Sequence, residues 1–278
     1  MPELPEVETV KNTLKQLVVG KTISDVSVRW PKMVKHPADV QAFQTLLTGQ
    51  TIHDINRRGK FLRFDLDDVA LVSHLRMEGK YSLTDTPVPT DQHTHVIFKF
   101  TDGTALQYND VRKFGTMHLY DKGKELQFPP LADLGPEPLE DDFTANHLDD
   151  VFRRTTRLIK PVLLDQKAVV GLGNIYVDEA LFRAGIHPGS EAKAIPFAQM
   201  NDLVLAIRST LGEAIAAGGS SIRSYLNGHG EMGMFQQRLY VYAREDQPCK
   251  QCGTPIEKIK LGGRGTHFCP NCQKEWHI

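Results

Sequence analysis

The stretch "LADLGPEPLEDDF" (residues 131–143) divides the sequence into two parts with different residue patterns. It holds two prolines and five acidic residues, a composition that favours a linker over a helix or a strand. Apolar residues alternate with polar ones before this stretch and recur at helical spacing after it. We therefore predict an α+β chain in which a β-rich N-terminal domain precedes a helical C-terminal domain.

The N-terminal part predicts one helix followed by antiparallel strands. The helix is predicted over "EVETVKNTLKQLVVG" (residues 6–20), whose apolar residues share one face and whose glycine stands where the helix would end. The alternating runs that follow are "TISDVSVRW", "KFLRFDL", "VALVSHLRM", "HVIFKF" and "ALQYND", with an Asp-Gly turn at 102–103. Such runs predict an antiparallel β-sandwich or flattened barrel, with the N-terminus carried on the helix.

The C-terminal part predicts four helices and a glycine-rich loop. Two helices are expected within residues 148–170, a third over "IYVDEALFRAG" (175–185) and a fourth over "FAQMNDLVLAIRSTLGEAIAAG" (197–218). The loop "GGSSIRSYLNGHGEMGMFQ" (218–236) follows. The "GLGN" stretch (171–174) has two interpretations: a phosphate-binding helix N-terminus, or a tight corner between two helices.

All four cysteines lie in the last 30 residues, at Cys249, Cys252, Cys269 and Cys272. Their C-x2-C-x16-C-x2-C spacing is typical of a four-thiolate zinc site, and two disulfides are an alternative that an intracellular chain disfavours. Between the pairs, "IEKIKLGGRGTHF" (256–268) predicts a hairpin with Arg264 at its tip. We expect one structural zinc and no catalytic metal, because four thiolates leave no open position for a water nucleophile.

Composition limits the classes of protein that fit. At 278 residues and 40% hydrophobic content, the chain is long enough for about two domains. No apolar stretch approaches the roughly 20 residues that cross a bilayer. The net charge is −1, with −6 over residues 1–150 and +5 over residues 151–278. Two basic patches, at 57–63 and 153–160, favour either solvated surface or phosphate binding.

The opening "MPELPEVETV" (residues 1–10) lacks the basic start and apolar run of a signal peptide. Because Pro2 is small, we expect Met1 to be removed, leaving a secondary amine at the N-terminus. An α-amino group has a pKa of about 7.7–8.0, which leaves part of it neutral and nucleophilic near pH 7. Glu3 could act beside it as a general acid or base. An ordinary helix start, where proline and glutamate are both preferred, is the alternative.

Motifs along the whole chain resemble, in kind and in order, those of the formamidopyrimidine-DNA glycosylase family, the bacterial base-excision enzymes for oxidised purines. They are "PELPEVET" (2–9), "RRGK" (57–60), "SHLRMEGK" (73–80), "DVRKFGT" (110–116), "GLGNIYVDEALF" (171–182), "GGSSIR" (218–223) and "GRGTHFCPNCQ" (263–273). The second proline of "PELPEV" resembles this family more than its sister, the endonuclease VIII group, whose opening typically has glycine before that proline.

The resemblance implies a catalytic role for four residues. Pro2 would attack C1′ of the damaged nucleotide, displace the base and form an iminium that allows β- and then δ-elimination. Glu3 would protonate the sugar-ring oxygen. Lys60 would contact the lesion and its phosphate and assist the first elimination, and Arg264 would clamp a flanking phosphate and assist the second.

The resemblance also implies DNA contacts and a lesion pocket. Met77, Arg112 and Phe114 would fill the gap that the extruded nucleotide leaves in the base stack, although ordinary core is the alternative for the apolar pair. Phosphate contacts are expected from His93, Arg154 and Asn174, with the "GLGN" backbone. The expected lesion-pocket residues are Glu6, Glu78, Ser220, Ile222, Arg223 and Tyr242.

These expectations define a two-domain DNA glycosylase and AP lyase. The expected segments are a β-sandwich catalytic domain (1–132), a linker (133–147), a helix-two-turn-helix domain with a lesion-capping loop (148–234) and a zinc-finger hairpin (235–278). The expected partner is double-stranded DNA with an oxidised purine or abasic site, bound by a monomer in the bacterial cytoplasm, associated with the nucleoid through DNA and with no membrane. The alternatives are an endonuclease VIII-like glycosylase for oxidised pyrimidines and a non-catalytic zinc-ribbon nucleic-acid binder.

Overall fold

The computed structural model describes residues 1–85, 91–220 and 233–278. These residues form two compact units. The first contains Met1–Pro2, Glu6–Asp133 and Gly233, and the second contains Glu3–Pro5, Leu134–Ser220 and Met234–Ile278. Within the described ranges, no helix combines the length and apolarity needed to cross a membrane.

The first unit is an antiparallel β-sandwich with two helices. The helices are α1 (Leu4–Val18) and α2 (Val40–Leu47). The strands are β1 (Ile23–Val28), β2 (Val34–His36), β3 (Asp54–Arg58), β4 (Phe61–Asp65), β5 (Val69–His74), β6 (Lys80–Asp85), β7 (Thr94–Phe100), β8 (Thr104–Asn109) and β9 (Thr116–Asp121). One sheet has the order β1-β7-β8-β6, and the other has the order β2-β9-β5-β4-β3, in which only the β2–β9 pair is parallel.

A single apolar cluster joins the two sheets and α1. It includes Phe98 and Leu106 from one sheet, Phe64 and Leu71 from the other, and Leu14 from α1, all almost completely buried. Alternation along each strand sends these side chains to the shared face, as the sequence pattern predicts. The predicted sandwich is thus confirmed.

Several elements of the first unit were not predicted from the sequence. Strand β3 (DINRR) holds one apolar residue and β6 (KYSLTD) holds two, so the apolar alternation that marks a strand is very short in both. Helix α2 has only eight residues, but it carries a recognisable start signal. The Asp39 side chain accepts a hydrogen bond from Gln41 N at 2.9 Å, an N-cap that the sequence pattern could have revealed.

The second unit contains four helices and a β-hairpin. They are α3 (Ala145–Phe152), α4 (Ile159–Leu164), α5 (Asn174–Arg183), α6 (Phe197–Ala216), and the hairpin strands β10 (Glu257–Leu261) and β11 (Arg264–Phe268). Thr144 caps α3 by accepting from His147 N at 3.2 Å. Helix α4 is shorter than the sequence pattern suggested, since it ends at Leu164.

Helix α5 is buried along most of its length and organises this unit. Its Glu179 carboxylate accepts hydrogen bonds from the N–H groups of Tyr240, Val241 and Tyr242 at 2.8, 2.9 and 2.9 Å. Burial raises the pKa of Glu179, although these N–H groups oppose the shift. The segment that leads into the cysteine region is therefore attached directly to α5. One of the points at which the chain passes from the first compact unit to the second lies after Asp133, and the four-segment division stays a prediction.

Candidate active site and zinc centre

The four cysteines converge on one point. Their sulfur atoms all lie within 4.8 Å of one another. The Cys249–Cys272 and Cys252–Cys269 sulfur pairs are 3.9 and 3.5 Å apart. A tetrahedral zinc with bonds of about 2.3 Å separates its sulfurs by about 3.8 Å, so the donor set fits this metal. With four thiolates the site is closed, and its role is structural.

Glu3 is held by the N-terminus of α5. Its carboxylate accepts hydrogen bonds from the N–H groups of Gly173 at 2.7 Å, Ile175 at 2.9 Å and Tyr176 at 3.2 Å. The first N–H groups of a helix carry the positive end of its dipole and lie outside its own hydrogen-bond ladder, which favours an anion there. Glu3 is only 3% exposed. Its position is therefore set by the backbone of a buried helix.

The "GLGN" stretch has its own N–H groups largely engaged within the protein. Gly173 binds Glu3, and Gly171 N donates to the Gln166 side chain at 2.9 Å. Gly171 also has a φ of +92°, and its carbonyl accepts from Leu4 N at 3.1 Å. The two glycine N–H groups thus anchor protein segments, an arrangement that neither interpretation of "GLGN" anticipated.

Arg264 lies where the sequence placed it, beside the hairpin turn. It begins β11, pairs with Leu261 and is exposed. Below it, the Thr266 hydroxyl donates to the Arg264 carbonyl at 3.2 Å and accepts from Lys160 Nζ at 2.8 Å. Lys160 also donates to the Gly265 carbonyl at 3.4 Å. A chain of hydrogen bonds therefore supports the backbone of the turn.

Lys160 and Asp178 form a buried ion pair that no local pattern in the sequence indicates. The Nζ–Oδ1 distance is 2.7 Å, and both side chains are almost completely buried. The other Asp178 oxygen accepts from His267 N at 2.9 Å. Burial lowers the pKa of Lys160, against the opposing effect of Asp178. Lys160 ends the basic patch at 153–160, and interpreting it as solvated surface or a phosphate contact is wrong for this residue, because its charge is enclosed in the protein.

Lys60 lies in the turn between β3 and β4 and is 6% exposed. The turn is supported by Arg57, which donates to the Gly59 carbonyl at 2.9 Å and to the Glu8 carboxylate at 2.8 Å. Burial would raise the pKa of Glu8, but hydrogen bonds from Lys11 and Arg57 outweigh it and lower the pKa. The basic patch around Lys60 is thus partly neutralised by α1.

The three predicted gap-filling residues lie on two turns of the first unit. Met77 is in the turn after β5, and Arg112 and Phe114 are in the turn after β8. Met77 is 37% exposed and Phe114 is 51% exposed, so neither belongs to the core. The Arg112 guanidinium lies over the Phe114 ring, 4.7 Å from its centroid. Side chains of this kind can replace a base in a stack.

The remaining predicted DNA contacts are spread over both units. His93 is half-buried, and its carbonyl accepts from Asp110 N at 2.9 Å. Arg154 is exposed just after α3. Asn174 begins α5, and its side chain donates to the Gly265 carbonyl at 2.9 Å, which links it to the Arg264 turn.

The predicted lesion-pocket residues have different surroundings. Glu6 is buried in the first turn of α1, whereas Glu78 is exposed next to Met77. Ser220 is buried in the second unit, with its hydroxyl 3.2 Å from the Tyr176 hydroxyl. The Tyr242 ring packs edge-on against His267, with the centroids 5.1 Å apart. Ile222 and Arg223 lie outside the described residues.

Three family models match the chain in series. They are the formamidopyrimidine-DNA glycosylase N-terminal domain over residues 1–117, the formamidopyrimidine-DNA glycosylase H2TH domain over residues 134–225, and the zinc finger found in FPG and IleRS over residues 246–274. The third match and the sulfur cluster agree on a structural zinc. The fold and site thus define a zinc-containing DNA glycosylase.

Close relatives cover the chain almost completely. The formamidopyrimidine-DNA glycosylase of Cytobacillus firmus is 62% identical over 273 residues, covering 98% of this chain and 100% of the relative. That of Bacillus subtilis strain 168 is 58% identical, covering 98% and 99%. The chain therefore belongs to the formamidopyrimidine-DNA glycosylase family, whose members are base-excision DNA glycosylases with AP lyase activity.

Solved structures give the same result. A mutant of the Lactococcus lactis FPG in complex with a Fapy-dG containing DNA is 44% identical and superposes with a TM-score of 0.92, covering 99% of this chain and 100% of that chain. The Lactococcus lactis Fpg with an abasic site containing DNA is 44% identical with a TM-score of 0.91, covering 98% and 100%.

Proposed function

We propose that this chain excises oxidised purines from duplex DNA through a covalent intermediate on Pro2. After removal of Met1, the proline nitrogen attacks C1′ and loses its proton, and the base departs with the bonding electron pair. Cleavage of the bond between C1′ and the ring oxygen then leaves an iminium that links the protein to the sugar. The iminium acidifies the C2′ proton, so that its removal expels the 3′ phosphate and a second elimination expels the 5′ phosphate. One nucleophile thus serves both base removal and strand cleavage.

The anchoring of Glu3 carries this proposal. A carboxylate bound by three backbone N–H groups has a fixed position, and Pro2 is joined to it by a peptide bond. A chain terminus is ordinarily mobile. Fixing residue 3 restricts residue 2 to a small volume, as a nucleophile requires. From this position the Glu3 carboxylate takes up the proton that the proline nitrogen loses and delivers it to the sugar-ring oxygen as the ring opens.

Two cations complete the proposed chemistry. Lys60 lies in a turn that the hydrogen bonds of Arg57 support. It contacts the lesion and its phosphate and assists the first elimination. Arg264 clamps a flanking phosphate and assists the second, as its exposed position on a supported turn allows. Arginine suits this role because its fork of N–H donors matches phosphate oxygens.

The other residues proposed to contact DNA fall into three groups: those that fill the base stack, those that bind phosphates and those that surround the lesion. Met77, Arg112 and Phe114 occupy the vacated stack, while His93, Arg154 and Asn174 hold phosphates. Glu6, Glu78, Ser220, Ile222, Arg223 and Tyr242 are proposed to surround the extruded base. We place the enzyme in the bacterial cytoplasm, on chromosomal DNA, as a monomer. The Lactococcus lactis complexes with Fapy-dG and abasic-site DNA support the choice of substrate.

Borohydride trapping tests the proposal. The protein is mixed with a duplex that contains one 8-oxoguanine opposite cytosine, reduced, digested and mapped by mass spectrometry. We expect a stable adduct on residue 2, and none with undamaged duplex. Lys60→Ala should retain some adduct, because Lys60 is not the nucleophile. An adduct on a lysine, or excision without any adduct, would contradict the role of Pro2. A matched duplex with an oxidised pyrimidine separates purine from pyrimidine specificity.

A further inference from the structure

The hydroxyl of Tyr108 lies between the two turns that carry the gap-filling side chains. Tyr108 is near the end of β8 and is completely buried. We call residues 75–79 the Met77 turn and residues 110–115 the Phe114 turn. A Cβ built on Gly79 of the first turn would lie 2.1 Å from Tyr108 Oη, and one built on Gly115 of the second would lie 1.9 Å from it. One oxygen atom therefore packs against the backbone of both turns.

Space, rather than backbone conformation, requires glycine at both positions. Neither Gly79 nor Gly115 is among the residues with positive φ, so another residue could adopt either backbone conformation. Any side chain would collide with the tyrosine, because even Cζ would lie 2.8 Å from a Cβ on Gly79 and 2.7 Å from one on Gly115. The two glycines and Tyr108 thus form a close-packed junction.

The Met77 turn is held by backbone hydrogen bonds. Gly79 N donates to the Leu75 carbonyl at 2.9 Å, which closes the turn, and Leu75 is buried. Arg76 adopts a φ of 53°, a conformation that non-glycine residues keep only when their surroundings hold it. Its N–H donates to His74 Nδ1 at 2.8 Å, and the His74 carbonyl lies 3.5 Å from the Tyr108 hydroxyl.

The Phe114 turn is held by a buried carboxylate. Asp110, 1% exposed, accepts hydrogen bonds from the N–H groups of Arg112 at 3.0 Å, Phe114 at 2.9 Å and Gly115 at 2.8 Å. Lys113, between them, has a φ of 58°. Internal hydrogen bonds therefore hold each turn, and both turns pack against the Tyr108 hydroxyl.

The geometry points to Tyr108 as a positioning residue that makes the two turns act as one body when Met77, Arg112 and Phe114 enter DNA. This inference rests on the gap-filling role proposed above for those three side chains. Close-packed contacts transmit small displacements, because a packed interior has few voids to absorb them. A shift of either turn would be passed to the other through the hydroxyl. Tyr108 touches neither DNA nor the reacting atoms in this scheme.

The first test compares Tyr108→Phe with Tyr81→Phe. Both remove one buried hydroxyl from the same sandwich; that of Tyr81 donates to Ser73 Oγ at 2.7 Å. We expect Tyr108→Phe to slow excision of 8-oxoguanine from duplex DNA by roughly ten- to a hundredfold, the scale of a small misplacement. Its cleavage of an abasic site in single-stranded DNA, which has no opposite strand and no paired gap to fill, should stay within about twofold of wild type. Tyr81→Phe, at a comparable loss of melting temperature, should not slow excision from duplex DNA more than it slows cleavage of the abasic site in single-stranded DNA.

The second test measures coupling between the turns. Met77→Ala and Phe114→Ala are made singly and together, with Tyr108 present and in the Tyr108→Phe background. With Tyr108 present, the effect of the double variant on the rate of duplex excision should differ from the product of the two single effects by roughly three- to tenfold. In the Tyr108→Phe background, the double effect should equal that product. Effects that multiply in both backgrounds, or identical coupling in both, would overturn the role of Tyr108.

Failure of the wider mechanism has a different signature. A wild-type protein that forms no borohydride-trapped adduct would overturn the nucleophile proposed for Pro2 whatever Tyr108 does. An adduct with no effect of Met77→Ala or Phe114→Ala on duplex excision would overturn the gap-filling role and with it the role of Tyr108. A third outcome would overturn only the role of Tyr108. In it, the wild type forms the adduct and the single variants slow excision, but the coupling is the same with and without the Tyr108 hydroxyl.

Discussion

The Glu3 carboxylate and the Gly173 backbone are in direct contact. Gly173 N donates to Glu3 at 2.7 Å, and a Cβ on Gly173 would lie 2.3 Å from the Glu3 carboxyl carbon. The φ of Gly173 is −124°, which any residue can adopt, so glycine is required there by the approach of Glu3 and not by the backbone. The helix that anchors the proposed acid thus has a glycine at the point of contact.

Gly173→Ala should displace Glu3. Overpacking of this kind costs about 1–3 kcal/mol of stability, and misplacing a catalytic group lowers rates by roughly ten- to a hundredfold. Melting temperature and single-turnover excision measure the two effects. Gly212→Ala is the matched control, because Gly212 lies within α6 with nothing within 4 Å of a built Cβ. It should gain up to about 1 kcal/mol at wild-type excision rate. Normal excision by Gly173→Ala would show that Glu3 needs no such anchor.

Cys252→Ser should release the zinc and disorder the Arg264 hairpin. Thiolate ligation supplies much of the folding free energy of a small metal-bound hairpin. We expect one zinc per chain in the wild type, much less in the variant, and at least about tenfold weaker DNA binding. Lys258→Ala is the control, because Lys258 lies on the same hairpin and its side chain forms an exposed ion pair with Glu245. Active wild-type protein without zinc would refute the structural role of the metal.

Retention of Met1 should abolish base excision and strand cleavage together. The Pro2 nitrogen is then part of an amide and cannot form an iminium, although the fold should be unchanged. Intact-mass analysis reports the state of the N-terminus, and borohydride trapping reports the intermediate. The same protein with a C-terminal tag should keep full activity. Full excision by a sample whose mass shows only the Met1 form would refute the proposed nucleophile.

His74 should make the protein less stable in acid. Burial, with smaller effects of Arg76 and Lys60, lowers the pKa of His74 from 6.5 to about 3. Between these values the unfolded chain binds a proton that the folded chain excludes, so stability falls as pH falls through this window. This one group should cost about 2 kcal/mol between pH 6.5 and pH 5.

The slope of unfolding free energy against pH measures this effect. His74→Gln should be less stable at pH 7, because the histidine ring packs on Phe61 with centroids 4.4 Å apart, but its slope should be shallower. Parallel slopes for His74→Gln and wild type would show that His74 does not titrate in this way.

Arg112 should favour cytosine opposite the lesion. Its guanidinium lies over the Phe114 ring, and its N–H groups are all donors. Cytosine offers two adjacent acceptors, its ring nitrogen and O2, whereas adenine sets an amino donor beside its one acceptor. The mismatch should cost about 1–3 kcal/mol, or roughly one to two orders of magnitude in rate.

Single-turnover excision opposite each of the four bases measures this preference. Arg112→Ala should lose the discrimination between cytosine and adenine beyond any general loss of activity. Lys113→Gln is the control on the same turn, since Lys113 lies over the Trp30 ring, 4.4 Å from its centroid. Equal wild-type rates opposite cytosine and adenine would show that Arg112 does not read the partner base.

Local patterns in the sequence were sufficient for much of the fold. The alternation of apolar residues predicts β1, β4, β5, β7 and β8, helical spacing predicts α1, α5 and α6, and the cysteine spacing predicts the metal site. These signals are short-range, because side-chain direction repeats every two residues in a strand and about every 3.6 in a helix. Strands β3 and β6 were not predicted, because few of their side chains are buried and their sequences hold few apolar residues.

By itself, the sequence determined most of the helices and strands and the zinc ligands, and it indicated the residues proposed for the site, because each of these signals lies in neighbouring positions. Only the tertiary structure decided their partners. Glu3 meets Gly173 across 170 positions, and Lys160 meets Thr266 across 106. No periodicity links residues so distant. The surfaces that pack together when the chain folds decide the role of such residues. They make Lys160 the buried support of a turn and not a solvated charge, and they place Tyr108 at a junction between two turns.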